Sequence, residues 1–267
     1  RFLATLLFAI ALSGCSTTPT EPPISSAARA ELAPTGKLRA GIAFSNVLLT
    51  TRGPNGEQGG VAVELVRELA RRLNVPLEIT ADTQLDPART YGALIIRKSG
   101  VTIDGQGAWL IGSATDSGLA AKNFKGTAIL AEGVSNVTIR NINARGWETG
   151  LVVRNASGWL VENCNFSDNF HDPDFGWGEN GRRGGILLDH VTRSTLLRNR
   201  ANRVWDGCVL LNSDDNLLVD NDFSHCSNTC LKLWTACRNS IRHNVLSHGI
   251  RIAPNEVHAR DSTSVLI

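Results

Sequence analysis

Short hydrophobic runs separated by polar turn residues fill the chain from about residue 90 onward, and no helical period survives there. Six mainly apolar triplets can be aligned, and successive triplets begin 22, 35, 23, 22 and 34 residues apart. The triplets are Ile129-Leu130-Ala131, Leu151-Val152-Val153, Ile186-Leu187-Leu188, Val209-Leu210-Leu211, Leu231-Lys232-Leu233 and Val265-Leu266-Ile267. A unit of this length cannot bury its apolar side alone, so the repeats are predicted to stack on one another.

A series of asparagines follows the second strand of each unit at intervals of 22, 36, 22 and 23 residues. Its members are Asn141, Asn163, Asn199, Asn221 and Asn244. Asn tolerates left-handed backbone in turns, and its amide can hydrogen-bond to the next Asn in a stack. Together the two patterns predict an all-β fold, a right-handed parallel β-helix with about 22 residues per coil.

Residues 90–267 resemble the pectin-lyase-like β-helix superfamily, and especially the NosD-like right-handed β-helix repeat proteins. The matching text is "VTIDGQGAW", "VSNVTIRNI", "SGWLVENCNF", "RSTLLRNRA", "DDNLLVDNDF" and "RNSIRHNVL". That superfamily contains lyases, hydrolases, epimerases, tailspikes and non-catalytic binding proteins. The resemblance therefore implies the fold more specifically than the activity.

Residues 36–80 carry a different pattern. Apolar residues from Val63 to Leu73 recur at helical spacing, and Pro76 stops this helix before a further strand. The texts "GKLRAGI" and "GVAVELVRELARRLNVPLEI" resemble the opening of periplasmic solute-binding proteins that serve amino-acid transporters. About 45 residues cannot form the two lobes of such a receptor. A fusion remnant, a packing cap and an artefact of sequence assembly stay open as interpretations.

The first fifteen residues, "RFLATLLFAIALSGC", have the shape of a secretory hydrophobic region too short to span a bilayer. Leu12-Ser13-Gly14-Cys15 resembles the lipobox of bacterial lipoproteins, which implies lipid attachment at Cys15, and Ser16 implies the outer membrane. The expected organisation is a signal peptide (1–15), a flexible linker (16–35), the β-α-β segment (36–80) and a β-helix (81–267) that we expect to be cut short at its C-terminus.

Composition narrows the class of partner. The 267 residues include 27 basic and 25 acidic side chains without a basic block, so nucleic acid is not an expected partner. The two long intervals in the triplet series place insertions at 170–185 and 249–264, at one phase of the coil. Stacked strands lie about 4.8 Å apart, so these insertions are predicted to stand roughly 14 Å from each other as two walls of a groove.

The insertions concentrate side chains that suit a sugar polymer. Those taken as candidates are His171, Asp174, Trp177, Arg182 and Arg183 in the first insertion and Glu256, His258 and Arg260 in the second. Aromatic rings stack on sugars, and arginine pairs with carboxylates, so an acidic polysaccharide is the expected partner. In the alternative interpretation, the charged residues of the first insertion pair only with one another and order it.

Strand alternation places Lys232 and Trp234 on the outer face, near the second insertion. Resemblance to β-helix polysaccharide lyases, which use Lys or Arg as the base of β-elimination, makes Lys232 the candidate base. Arg182 or Arg183 is then the candidate clamp, and His171 and Asp174 are further catalytic candidates. Trp177, Arg183, Trp234, Glu256, His258 and Arg260 are assigned to substrate binding. Calcium is the one cofactor that the resemblance suggests, although Leu and Val occupy most of the outer row where those lyases carry acidic ligands.

Cysteines and histidines suggest less chemistry. Cys208 and Cys230 are assigned to one phase of adjacent coils, which would bring them to about 5 Å, within disulfide range. The same phase reads Ala128, Gly150, Gly185, Cys208, Cys230 and Ser264, so a corner that admits only small residues is the preferred explanation, and a bond between the two cysteines stays open. No two histidines are spaced as a tight metal pair, and His225-Cys226 with Cys230 is the one place for a soft metal.

The leading functional hypothesis is an exported, lipid-anchored β-helix that binds polysaccharide, with lyase, hydrolase or epimerase activity as a further expectation. The alternative is a non-catalytic NosD-like scaffold or metal-maturation accessory. A weaker alternative is a periplasmic solute-binding protein.

Overall fold

The computed structural model describes residues 24–33, 36–38, 48–52, 58–73, 75–114, 123–171, 184–249 and 263–267. The described part contains the helices α1 (Ser26–Leu32) and α2 (Val61–Arg72) and twenty strands. The strands are β1 (Thr51–Arg52), β2 (Gln58–Gly59), β3 (Leu77–Ile79), β4 (Thr83–Gln84), β5 (Thr90–Tyr91), β6 (Leu94–Ile96), β7 (Thr102–Asp104), β8 (Trp109–Ile111), β9 (Thr127–Glu132), β10 (Thr138–Arg140), β11 (Asn143–Arg145), β12 (Thr149–Ser157), β13 (Leu160–Glu162), β14 (Gly184–Thr192), β15 (Thr195–Leu197), β16 (Asp206–Leu211), β17 (Leu217–Val219), β18 (Thr229–Trp234), β19 (Ser240–Arg242) and β20 (Thr263–Leu266).

Three parallel sheets run along the molecule, and successive coils add neighbouring strands to them. The eight-stranded sheet has the order β20-β18-β16-β14-β12-β9-β6-β3, and the seven-stranded sheet has the order β19-β17-β15-β13-β10-β7-β4. The three-stranded sheet, β11-β8-β5, is continued by single bridges through Asn165, Arg200, Asp222 and Val245. Pairing of strands from consecutive coils in this way is the arrangement of a parallel β-helix, as predicted.

The core is a set of side-chain stacks inside the coils. Ile129, Leu151, Ile186, Cys208 and Leu231 occupy one register position of the eight-stranded sheet, and all are buried. Alternate residues of each strand point outward, as strand geometry requires. Each coil therefore buries its apolar side against the coils above and below it.

The predicted asparagine series is divided between two columns of the structure. Asn141 and Asn163 adopt positive φ at an exposed corner, and the next coils place Arg198, Asp220 and His243 there. Asn199, Asn221 and Asn244 occupy the following position, where they are partly or fully buried and linked by amide hydrogen bonds of 3.0 and 2.8 Å. The interval of 36 residues between Asn163 and Asn199 exceeds the strand interval by one, and this extra residue moves the series to the second column.

The aligned triplet at Val209 is wrong by one residue. Val209 pairs with Leu187 and Lys232 on the outer face, whereas Leu210 points inward. Gly207 therefore takes the place that was assigned to Cys208 in the small-residue corner column, next to Gly185 and Cys230. Because Cys208 pairs with Leu231 instead, the prediction that Cys208 and Cys230 share a column is wrong, and the spacing argument for a bond between them no longer holds.

The N-terminal segment is joined to the first coil. Helix α2 lies where the apolar spacing predicts it, but β3 pairs in parallel with β6, so the β-helix begins before residue 81. Arg89 in the first coil lies 2.5 Å from Glu64 of α2, which favours the interpretation as a packing cap over a receptor lobe. Helix α1 lies inside the predicted linker, with Ser25 as its N-cap.

The first strand expected in the β-α-β segment (36–80) lies mostly outside the described residues, and residues 36–38 are not in a strand. Among the described residues, no helix is long and apolar enough to cross a membrane.

Candidate functional site

Three insertions in the sequence begin and end at one phase of the coil. Residues 115–122, 172–183 and 250–262 lie outside the described ranges, and each is followed by a strand of the eight-stranded sheet, namely β9, β14 or β20. Thr127, Gly184 and Thr263 begin these strands and occupy one register column. The spacing of the apolar triplets predicted the second and third insertions at this shared phase. It did not reveal the first, although Leu94 and Ile129, which pair in register, are also 35 residues apart.

An aromatic cluster packs against the coil ends at this corner. Phe170 precedes the second insertion, and its ring lies 5.9 Å from the ring of Phe124 in an edge-on arrangement. Trp205, one coil further, lies 6.2 Å from Phe170, and Ala114 completes the buried cluster. These residues lie outside the central core, so the corner that receives the insertions has an apolar cluster of its own.

The outer face of the eight-stranded sheet lies next to this corner. Its central residues are Val152, Leu187 and Val209, and they are only 3%, 5% and 1% exposed although they point away from the core. The row that sequence reasoning took as an accessible groove floor is therefore buried at its centre. Lys232 and Trp234 extend this face, and Trp234 is 56% exposed.

Lys232 forms an ion pair with a buried carboxylate. Its Nζ lies 3.0 Å from Oδ2 of Asp206, and the Asp206 side chain has no exposed surface. Asn228 donates a hydrogen bond of 2.7 Å to the other carboxylate oxygen, and the backbone N–H of Thr229 donates another. Burial raises the pKa of Asp206 above its ordinary value, and this effect outweighs the opposing influence of the Lys232 ammonium.

Asp206 was missed by sequence reasoning, although its register column carries a signal. The column otherwise contains only threonines and a glycine, namely Thr127, Thr149, Gly184, Thr229 and Thr263. An aspartate is the one ionisable residue among them. Once the register of β16 is known, this departure marks Asp206 as a residue that must find a partner, because a buried charge without one is costly.

Charged residues form a second outer column beside the apolar row. Glu132, Arg154 and Asp189 occupy one register position in successive coils, followed by Leu211 and Trp234. The Arg154 guanidinium lies 3.8 Å from Asp189, whose other oxygen lies 2.8 Å from Nδ1 of His190. At the N-terminal end of the same face, Ile95, Leu130, Lys125 and Thr127 border a cavity of 410 Å³.

The described residues contain only part of the predicted site. Lys232 and Trp234 lie on the outer face, as the alternation predicts, and His171 lies at the start of the second insertion. The other predicted site residues are outside the described ranges, namely Cys15, Asp174, Trp177, Arg182, Arg183, Glu256, His258 and Arg260. Whether the two predicted walls face each other stays a prediction.

In the described part of the chain, no three His, Cys, Asp or Glu side chains converge as metal ligands. In the predicted soft-metal trio, the two cysteines are buried and the histidine is exposed. The exposed ring of His225 stacks on His248 at 4.5 Å, whereas the Cys226 thiol is buried. Stacked parallel rings at that distance do not direct their nitrogens at one shared ion.

The coils and sheets define a parallel β-helix protein with insertions concentrated at one corner. The family model described as a right handed beta helix region matches residues 84–246, and the chain belongs to that family. No curated protein and no solved structure matches the chain.

Proposed function

We propose that this chain is an exported polysaccharide-binding protein, and that the polymer lies along the outer column from Glu132 to Trp234, beside the buried row at the centre of the eight-stranded sheet. The observation that supports this proposal best is the shared attachment of the insertions at one corner. Three coils are lengthened at the same point while the rest of each coil keeps its register. Loops that a rigid scaffold presents together commonly carry binding function.

The repeating surface suits a linear polymer. Coils about 4.8 Å apart present equivalent side chains in columns, so a chain of repeated units can contact several coils at once. Arg154 offers a guanidinium that can pair with a carboxylate, and the exposed ring of Trp234 offers a flat face for a sugar. The ligand class that fits these groups is an acidic polysaccharide.

Binding is favoured over cleavage by the position of Lys232. A lysine that acts as the base in β-elimination must have access to the substrate. The Lys232 Nζ lies 3.0 Å from Oδ2 of Asp206, and only 15% of the Lys232 side chain is exposed. We therefore assign Lys232 to the stability of the binding face, and treat lyase activity as an outcome to be measured.

Affinity electrophoresis in gels containing acidic or neutral polysaccharides tests this proposal. The protein is expected to be retarded by at least one uronate polymer, and Trp234→Ala is expected to weaken the retardation. Trp109→Ala is the matched control, because Trp109 lies on the three-stranded sheet, where the Arg145 guanidinium covers its ring, and not on the proposed binding face.

The outcomes of this test separate the alternatives. Absence of retardation in every acidic polymer, or equal loss in both tryptophan variants, contradicts the proposed face and favours a non-binding scaffold. When the protein is incubated in solution with the same polymers, ultraviolet absorbance reports unsaturated sugar products. An increase in this absorbance would overturn the assignment as a binder without lyase activity.

The proposed location rests on the sequence of residues 1–16. The apolar run and the Leu-Ser-Gly-Cys text support export with lipid attachment at Cys15 and retention at the outer membrane. Palmitate labelling of the native protein, compared with its Cys15→Ala variant, tests this. Equal labelling of both proteins would contradict lipid attachment at Cys15.

A further inference from the structure

Cys226 and Cys230 bring two thiols together inside the last coils. Cys230 lies in strand β18, and Cys226 lies in the turn that leads into it. Both residues are buried, and their side chains hydrogen-bond to each other. The Cys226 thiol also lies 3.2 Å from the carbonyl oxygen of Phe223.

The neighbouring coil leaves room for this pair. Gly207 lies against it, and a Cβ placed on Gly207 would come within 3.1 Å of the Cys226 sulfur and 2.5 Å of the Cys230 carbonyl oxygen. Among the other described cysteines, Cys237 is exposed, and burial raises the pKa of both Cys164 and Cys208.

The two thiols are not equivalent. The hydrogen bond from Cys226 lowers the pKa of Cys230 below its ordinary value, whereas burial raises the pKa of Cys226. A thiolate is the attacking species in disulfide exchange, so Cys230 is suited to attack first and Cys226 to attack second.

We propose that Cys226 and Cys230 are the site of an intrachain disulfide bond. The Cys230 thiolate attacks a disulfide oxidant such as glutathione disulfide, which breaks the S–S bond of the oxidant and releases one thiol. The Cys226 thiolate then attacks the mixed disulfide and releases the second thiol. Two electrons pass to the oxidant, and the two protons from the cysteines go to the two released thiolates.

The bond would fix the turn that precedes β18. Lys232 follows Cys230 by two residues in that strand and reaches back to Asp206. Because both thiols are buried, oxidation takes place during folding or through local opening of the turn. This inference does not depend on polysaccharide binding.

Peptide mapping tests the inference on the full chain. The protein is incubated with glutathione disulfide, denatured with N-ethylmaleimide present, and digested with trypsin. Residues 204–232 form one tryptic peptide that contains Cys208, Cys226 and Cys230. We expect this peptide to carry one maleimide and to lack two hydrogens, and to carry three maleimides when dithiothreitol is added first. Three maleimides without reductant would overturn the inference.

Variants identify the pair. Cys208→Ala is the matched control, and it is expected to keep the loss of two hydrogens, whereas Cys226→Ala and Cys230→Ala are expected to abolish it. A Cys208→Ala protein that no longer loses the two hydrogens would contradict the assignment. If the other two variants do not fold, fragmentation of the wild-type peptide decides, because the bond prevents the release of fragments cleaved between residues 226 and 230.

Discussion

The ammonium nitrogen of Lys232 lies 3.0 Å from Oδ2 of Asp206, and the Asp206 side chain is completely covered. Lys232 stands where the preceding coils place Val152, Leu187 and Val209 in the outer row. Its four-carbon stem continues this apolar row, and its charged end closes over the carboxylate. The ion pair with Asp206 of the preceding coil therefore explains why the outer row contains a charged residue at position 232.

Lys232→Met is expected to lower the free energy of unfolding by about 3 kcal/mol, because it leaves a buried carboxylate without its cation. Arg154→Met is the matched control. The Arg154 side chain is 39% exposed and lies 3.8 Å from Asp189, so its loss is expected to cost less than about 1 kcal/mol. Urea denaturation of both variants measures the difference. Combining Lys232→Met with Asp206→Asn should restore part of the loss, and a further decrease in the double variant would contradict this explanation.

The raised pKa of Asp206 predicts a specific dependence of stability on pH. The folded protein holds this proton more tightly than the unfolded chain, so the contribution is fully present below the ordinary pKa of 3.8. It is lost as the pH rises from there to the raised folded value, and it stays constant above that. The unfolding free energy of the wild type minus that of Asp206→Asn should therefore decrease across this window. Denaturation at a series of pH values measures this difference, and an increasing difference would contradict the sign.

Sequence patterns predict the coil well and the register less well. The spacing of about 22 residues identifies stacked coils, and alternation correctly turns Lys232 and Trp234 outward. The four-residue apolar run from Cys208 to Leu211 fits two registers equally well. Hydrophobicity alone cannot separate them, because Cys208 is buried inside and Val209 is buried on the outer face. Asp206 could not be assigned before that register was known.

Asn221 is predicted to be a major source of stability in the buried asparagine column. Its amide donates to the Leu196 carbonyl at 2.9 Å and to Asn244 at 2.8 Å, and its oxygen accepts from the backbone and side chain of Asn199. Asn221→Leu orphans several of these buried groups, so a loss of about 3 kcal/mol or more is expected. Chemical denaturation gives the value.

Asn163→Gly is the control for this prediction. Asn163 is exposed, has a φ of 52° that glycine adopts readily, and donates one side-chain hydrogen bond, to Asn141. Its replacement should cost about 1 kcal/mol or less. Similar losses in the two variants would show that burial of the column adds nothing to the strength of its hydrogen bonds.

The corner column is predicted to require glycine at position 207. A Cβ there would lie 2.5 Å from the Cys230 carbonyl oxygen and 2.8 Å from the Phe223 Cβ, so Gly207→Ala forces neighbouring coils apart. We expect a loss of about 3 kcal/mol, seen as a lower midpoint in thermal and urea unfolding.

Gly133→Asn is the control. Gly133 has a φ of 69° with open space around it, and the next coil places Asn155 at the same register position with a φ of 51°. Since Asn tolerates this backbone, the free energy of unfolding of the control should lie within about 1 kcal/mol of that of the wild type. A tolerated alanine at position 207 would mean that the coils can separate locally, and the small residues of this column would then need another explanation.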